Sequence, residues 1–384
     1  MKRLWIIVLC LMMMCAFASA ETLPHRTGTV ADVTSLDFVR LMGAGWNLGN
    51  TLESTGGPSE TIAEFETSWG NPATTQAIID VIADMGFQTV RIPVAWSNLM
   101  ADDYTICPDL MDRVEEVAGY CLNRDMYVII NIHWDGGWDS LFATDYDTAI
   151  AKFTAIWSQV SERFRDYDDH VIFEALNEVG WTQYFNYYGG TAAVDANPEK
   201  AKQGYDLLYT INQTFVDLVR ASGGNNAGRF LLIPGYNTDI ELTCHEFYRM
   251  PDDPAEHLLI SVHYYTPWDF VGLAEDSSYA PMRTKWPETS KDIQDLNYYM
   301  NLMKTFTNAG YGVVLGEYSV CDGIEYKDAA SIRKWDTMVT KTALSLGYCP
   351  VFWDNGALLL DRATLTFYDD ELAQELSALA QSAQ

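Results

Sequence analysis

Short apolar runs alternate with longer segments in which apolar residues return every three or four positions, from residue 42 almost to the end of the chain. The runs lie at residues 42–50, 88–94, 126–133, 171–178, 229–235, 258–265, 311–319 and 348–356. They are too short for ordinary helices and mostly unbroken in apolar character, as strands buried on both faces should be. Between them, Ile78, Ile82 and Met85, then Leu110, Val114, Val117 and Cys121, then Ile150, Phe153, Trp157, Val160 and Phe164 follow the spacing of one helix face. Further stripes run through Leu208, Ile211, Phe215 and Leu218, through Ile293, Leu296, Met300 and Met303, and through Leu372, Leu376 and Leu379. The run at 229–235 leads instead into a short, irregular connection. Eight strand-then-helix units in about 350 residues predict an α/β fold, a (β/α)8 TIM barrel forming a single catalytic domain. A doubly wound open sheet is the alternative, but no run is followed by the G-x-G-x-x-G of a dinucleotide site.

The first 20 residues, MKRLWIIVLCLMMMCAFASA, do not belong to that pattern. They begin with Lys2 and Arg3, stay apolar to Phe17 and end in Ala18, Ser19 and Ala20, the layout of a secretory signal peptide. Cleavage near Ala20 would leave a catalytic domain over residues 21–384, extracellular or periplasmic, and no later run is long enough to span a bilayer. The formal net charge is −29. So acidic a surface repels nucleic acid and anionic lipid but not a neutral polymer, so no nucleic acid or membrane partner is expected. Seven cysteines become five once Cys10 and Cys15 leave with the leader. Cys107, Cys121, Cys244, Cys321 and Cys349 are scattered without a C-x-x-C, which permits a disulfide but supplies no zinc or redox motif.

In a barrel of this kind the C-terminal strand ends converge on one mouth. Here those ends carry Asn47 and Asn50, Arg91, His133 and Trp134, Asn177 and Glu178, His263 and Tyr265, Glu317, and Trp353 and Asp354. Any one of them has a structural explanation, but their shared position in the repeat points to a site. There is no His-x-His, no H-E-x-x-H, no G-x-S-x-G and no P-loop, so neither metal nor cofactor is expected. Two glutamates among Trp, Tyr, His, Asn and Arg remain. Two carboxylates flanking one bond are the equipment for glycoside hydrolysis. In the run 171–178, Glu174 and Glu178 fall on one strand face, with Glu174 roughly 13 Å deeper at ~3.3 Å per residue. Glu174 is therefore expected to pair with a buried cation or amide, and a bend or bulge must turn Asn177 into the cleft.

These motifs resemble glycoside hydrolase family 5, in the clan of retaining (β/α)8 glycosidases, over nearly the whole mature chain. The most specific element is Asn177-Glu178 on the fourth strand with Glu317 on the seventh; Arg91, His133, His263, Tyr265 and Trp353 match family positions. The resemblance implies that Glu178 is the acid/base, with a raised pKa, and Glu317 the nucleophile, about 5–5.5 Å away. It implies that Asn177 binds the sugar 2-hydroxyl, and that Arg91 and Tyr265 keep Glu317 ionised. His133, His263 and Trp353 would line the same subsite. GWNLGNTLE, ETSWGNPATT and HYYTPWDF are most similar to the endo-β-1,4-glucanase branch, which includes xyloglucan- and mixed-linkage-glucan-active members. By that likeness Asn47, Asn50 and Glu53 lie on the glycone side; Trp134, Trp138, Trp181 and Trp268 would be cleft walls or rim packing.

Two positions depart from the family. Val179 stands where Pro usually follows the Asn-Glu pair, and Trp134 where many relatives have a second histidine. The expected activity is a secreted, monomeric endo-β-1,4-glucanase acting on cellulose, mixed-linkage glucan or xyloglucan. A β-1,4-mannanase or a xyloglucan-specific enzyme would share its mechanism, and an inactive glycan-binding barrel is the reading outside that class.

Overall fold

Eight parallel strands close on themselves: β1 (Gly45–Leu48), β2 (Thr89–Ile92), β3 (Tyr127–Asn131), β4 (Val171–Glu174), β5 (Leu231–Pro234), β6 (Leu258–His263), β7 (Gly312–Tyr318) and β8 (Cys349–Asp354). Each lies inside one of the eight expected runs, and β8 pairs with β1 from Val351 to Asp354 to complete the ring. The computed structural model describes residues 28–181, 183–184 and 189–383. The leader expected at residues 1–20 falls outside these. The stripes read from the sequence lie on the helices Gln76–Asp84, Pro108–Leu122, Tyr146–Arg163, Pro198–Ala221, Ser290–Leu302 and Asp370–Ser382 or at their caps. The connection after β5 is short, as expected, with a single turn of helix at Ile240–Thr243. Cys107, Cys121, Cys244, Cys321 and Cys349 are all free thiols.

Alternation along each strand sorts side chains into two cores. Trp46, Val90, Val128, Phe173, Leu231, Ile260, Val313 and Phe352 face outward into the layer shared with the helices. Ile129, Ile172, Leu232, Leu259, Val314 and Val351 face inward and fill the bottom of the barrel. A short helix that the periodicity did not single out, Ser35–Leu41, plugs that end with Phe38 and Val39, joined by Met42. Two residues further along the strands, the same inward parity brings Asn131, Glu174 and Ser261 above the apolar layer, at the level of Asn47 and Arg91.

Parity also shows where the barrel must be irregular. Val313 and Leu315 point outward, so plain alternation would send Glu317 outward as well. The register between β7 and β8 shifts between Leu315 and Tyr318, and that between β6 and β7 shifts at Val262 and His263. One extra residue in β7 therefore turns Glu317 into the mouth and returns Tyr318 to the outer core. In the fourth strand the distortion takes another form. The strand ends at Glu174, so Glu178 does not lie on it; Ala175 N–H still bonds Leu232 O, and then the chain bends. Leu176 accordingly packs with the outer core and does not share the interior face with Glu174.

Arg229, fully buried just before β5, ties the end of the helix Tyr146–Arg163 to the start of β4. It donates to Phe164 O, Tyr167 O, Asp168 O, Val171 O and Asn226 Oδ1, all between 2.6 and 2.8 Å. A lysine ammonium has three donors at one point and cannot reproduce that fork. Arg229→Lys should therefore lower stability by about 2–4 kcal/mol through carbonyls left unpaired. The check is the midpoint of urea unfolding; an unchanged midpoint would contradict this assignment.

Candidate active site

Arg91 stands at the centre of the polar layer, fully buried and bonded on every side. Its Nε donates to Glu174 Oε2 (2.6 Å), Nη1 to Glu317 Oε1 (2.7 Å) and Asn47 Oδ1 (3.0 Å), and Nη2 to Asn177 Oδ1 (2.8 Å). Burial works against its charge, but the two carboxylates outweigh that and hold its pKa above the ordinary value. Glu174, also fully buried, takes two more donors, Asn131 Nδ2 (3.0 Å) and Ser261 Oγ (2.9 Å). The cation and amide expected beside Glu174 are thus Arg91 and Asn131. Asn47 is enclosed too, its amide nitrogen donating to Gly316 O and Val351 O. It orients Arg91 and has no atom left for a sugar, which corrects its expected place among the substrate contacts.

Above this layer the structure brings Glu178, Glu317, His263 and Tyr265 together. Glu317 accepts from Arg91 on Oε1 and from the Tyr265 hydroxyl on Oε2 (3.0 Å). His263 Nδ1 lies 2.7 Å from Glu178 Oε1 and 3.6 Å from Glu317 Oε2. One ligand atom from each of Glu178, His263 and Glu317 lies within 4.8 Å of the other two. The Glu178 side chain is 43% exposed at the cleft, whereas that of Glu317 is 7% exposed. Gly316 makes the arrangement fit, since a Cβ there would sit 2.8 Å from Ser261 Oγ and 3.0 Å from His263 Nε2.

The expectation that Glu178 carries a raised pKa is not met. Desolvation pushes it up, but the His263 hydrogen bond and the charges of His263 and Arg91 bring it below the usual carboxylate value. Glu317 moves the other way, raised chiefly by burial and further by Glu178, against the pull of His263 and Arg91. His263 thus sits between the two carboxyls, hydrogen-bonded to Glu178 and close to Glu317. Tyr265 keeps its proton, its pKa raised by burial and by the neighbouring Glu317 charge.

One wall is aromatic. Trp353 and His133 stack with centroids 5.7 Å apart and planes 7° from parallel. Gly49 leaves room for the indole, because a Cβ there would meet Trp353 Cζ2 and Cη2 at 2.9 Å. Asp354, next along, accepts from Trp46 Nε1 (3.0 Å) and from the N–H groups of Gly356, Leu358, Leu359 and Leu360. Arg362 then joins the β1 and β8 loops through Gly49 O and Asp354 O. Glu53 belongs to this scaffold and not to the cleft, a second correction. It is buried and accepts the Asn50 and Thr51 N–H groups, and burial outweighs those bonds to push it up to about 7. Asn50, half-buried, remains at the rim with φ of 56°.

The four outer tryptophans separate. Trp134 and Trp268 are 54% and 48% exposed, with Trp268 edge-on to Tyr265 at 6.4 Å. Trp138 is half-buried, its Nε1 donating to Asp135 Oδ2 (2.7 Å) and one face covered by Lys152 Nζ at 4.8 Å. Trp181 is 2% exposed between Phe142 and Tyr236, its Nε1 bonded to Asp139 O. It is core packing, a third correction. Sequence reading passed over Asn131 and Ser261, each two residues before a singled-out histidine and so on the same strand face.

The cellulase family model, glycosyl hydrolase family 5, matches residues 52–358. Endoglucanase A of Ruminococcus albus is 34% identical over 365 residues, covering 91% of this chain and 94% of that protein. A xyloglucan-specific endo-β-1,4-glucanase of Bacteroides ovatus is 32% identical over 362 residues, covering 89% and 69%. Among solved structures, a mutant family 5 lichenase from Caldicellulosiruptor sp. in complex with cellotetraose superimposes with a TM-score of 0.81 at 31% identity, covering 92% of this chain and 97% of the other. The residues matched run from before β2 to beyond β8 and include both Glu178 and Glu317, and the chain belongs to the cellulase family, glycosyl hydrolase family 5.

Proposed function

We propose that this protein is an endo-β-1,4-glucanase that cleaves with retention, Glu317 serving as nucleophile and Glu178 as acid/base. The observation that carries the reading is the separation of the carboxylates, with an oxygen of each within 4.8 Å of the other. Retaining pairs stand ~5–5.5 Å apart and inverting pairs ~6.5–9.5 Å, the extra room being needed for a water. Glu178 protonates the glycosidic oxygen while Glu317 attacks the anomeric carbon and forms a glycosyl ester. Glu178, now a base, takes a proton from the water that hydrolyses the ester. The His263 contact holds the Glu178 carboxyl in place at the cleft. Arg91 and Tyr265 stabilise the carboxylate of Glu317 each time it departs from the sugar. Asn177, with Oδ1 held by Arg91, keeps its amide N–H groups for the 2-hydroxyl, and His133 and Trp353 border the same ring.

A β-glucan substrate is supported by relatives named endoglucanase and lichenase and by the neutral polymer that suits an acidic surface. Xyloglucan is the second candidate, favoured by the similarity to a Bacteroides ovatus xyloglucanase in complex with a XXXG heptasaccharide. The leader-like residues 1–20 support export, and no helix among the described residues is long and apolar enough to cross a membrane. We also take the enzyme to act as a monomer.

Carboxymethyl cellulose, barley β-glucan, xyloglucan and mannan assayed side by side should give turnover on the glucans; turnover on mannan alone would overturn the substrate assignment. Glu317→Ala should lose at least about 10³-fold in kcat on every substrate. Glu178→Ala should lose as much on polysaccharide but far less on an aryl cellobioside whose leaving group needs no proton. Equal losses on both would count against the acid/base role. Because His263 lowers both Glu178 and Glu317, His263→Gln should raise both. The two limbs of the kcat/KM profile should then move together to higher pH, and limbs that stay in place would contradict that coupling.

A further inference from the structure

Asn131, fully buried at the end of β3, has each end of its carboxamide assigned by a neighbour of fixed polarity. Oδ1 accepts the Val94 N–H (3.3 Å), and Nδ2 donates to Glu174 Oε2 (3.0 Å). The flipped amide would set oxygen against carboxylate and N–H against N–H, so the orientation has one solution. The second hydrogen on Nδ2 is directed at His133 Nδ1, 3.3 Å away. An amide nitrogen donates and does not accept, so Nδ1 must present its lone pair. The ring is also neutral: burial first, then the charges of Arg91 and His263, hold its pKa well below the ordinary histidine value. A neutral ring with a bare Nδ1 carries its hydrogen on Nε2. That nitrogen has no partner among the described residues, and the ring is partly exposed with Trp353 stacked along it.

We propose that Asn131 is a positioning residue that sets His133 as the Nε2–H tautomer, a fixed donor toward a sugar hydroxyl lying against Trp353. Glu174 is the common anchor. It holds Arg91 beneath the nucleophile and the Asn131 amide beneath the histidine, so one buried carboxylate orders both the reacting and the binding side of the cleft. A donor whose polarity cannot reverse favours a ligand oxygen free to accept and disfavours an N–H or methyl group there. The identity of the ligand as a sugar rests on the glucanase reading; the tautomer does not.

Long-range proton–nitrogen NMR on histidine-labelled protein tests it, with His133 assigned by the signals lost in His133→Gln. The expected wild-type pattern is a pyridine-type Nδ1 and a pyrrole-type Nε2 for His133. In Asn131→Leu, which removes the donor without adding charge, that pattern should give way to averaging between tautomers, and in Asn131→Asp it should reverse or become that of an imidazolium. Both substitutions should lower kcat/KM on barley β-glucan about tenfold, the worth of one hydrogen bond. The same substitutions made in His133→Gln should lower it much less, because their effect passes through His133. A protonated Nδ1 in wild type overturns the proposal even if no variant folds, as does a full tenfold loss that persists without the histidine. Wild-type protein with the expected spectrum but no turnover on any β-glucan would instead overturn the glucanase reading alone.

Discussion

A fully buried guanidinium must be surrounded by acceptors, and the upper half of this barrel is arranged around meeting that demand for Arg91. Its partners come from four directions: Asn47 on β1, Glu174 on β4, Asn177 in the bend after β4, and Glu317 on β7. Removing one side of a buried pair of this kind leaves an uncompensated charge, at a cost of about 3–5 kcal/mol. That cost makes the geometry specific: Glu317 and Asn177 are held where the cation needs them. The same positions are where a glycosyl ester would form and where a 2-hydroxyl would be gripped.

The constraint explains why two of the eight strands are irregular. Alternation would have buried Glu317 among outer-core residues beside Val313 and Leu315, where no cation could reach it. The register shift before Tyr318 turns it inward instead. After Glu174 the chain abandons the sheet, which allows Asn177 to meet Arg91 and Glu178 to meet His263. The apolar runs made the eight strands legible because both faces of each are buried. Register shifts were not legible, since an apolar run reads the same whether or not one residue bulges. The plug helix Ser35–Leu41 has only Phe38, Val39 and the neighbouring Met42 to bury, too few for periodicity to stand out.

Within the site, legibility depended on whether a residue's neighbours could be inferred. Glu174 was separable from Glu178 because depth along a strand follows from counting residues. Asn47 and Glu53, read as sugar contacts, proved to be internal struts, because a motif records that a polar residue is needed and not what it touches. Trp181 shows the same for aromatic residues: its ring is spent on Phe142 and Tyr236. The lowered pKa of Glu178 could not be anticipated, since it depends on the 2.7 Å approach of His263 from β6. Asn131 and Ser261 could have been found by applying strand parity backwards from His133 and His263.

The central claim is that the two glutamates work as nucleophile and acid/base from opposite sides of the scissile bond. The most direct measurement is the anomeric form of the first product, followed by proton NMR as a β-glucan oligosaccharide is cut and before mutarotation. The account predicts that the new reducing end appears first as the β anomer and relaxes slowly to the equilibrium mixture. Initial appearance of the α anomer would mean that water attacks directly, and would contradict the role given to Glu317.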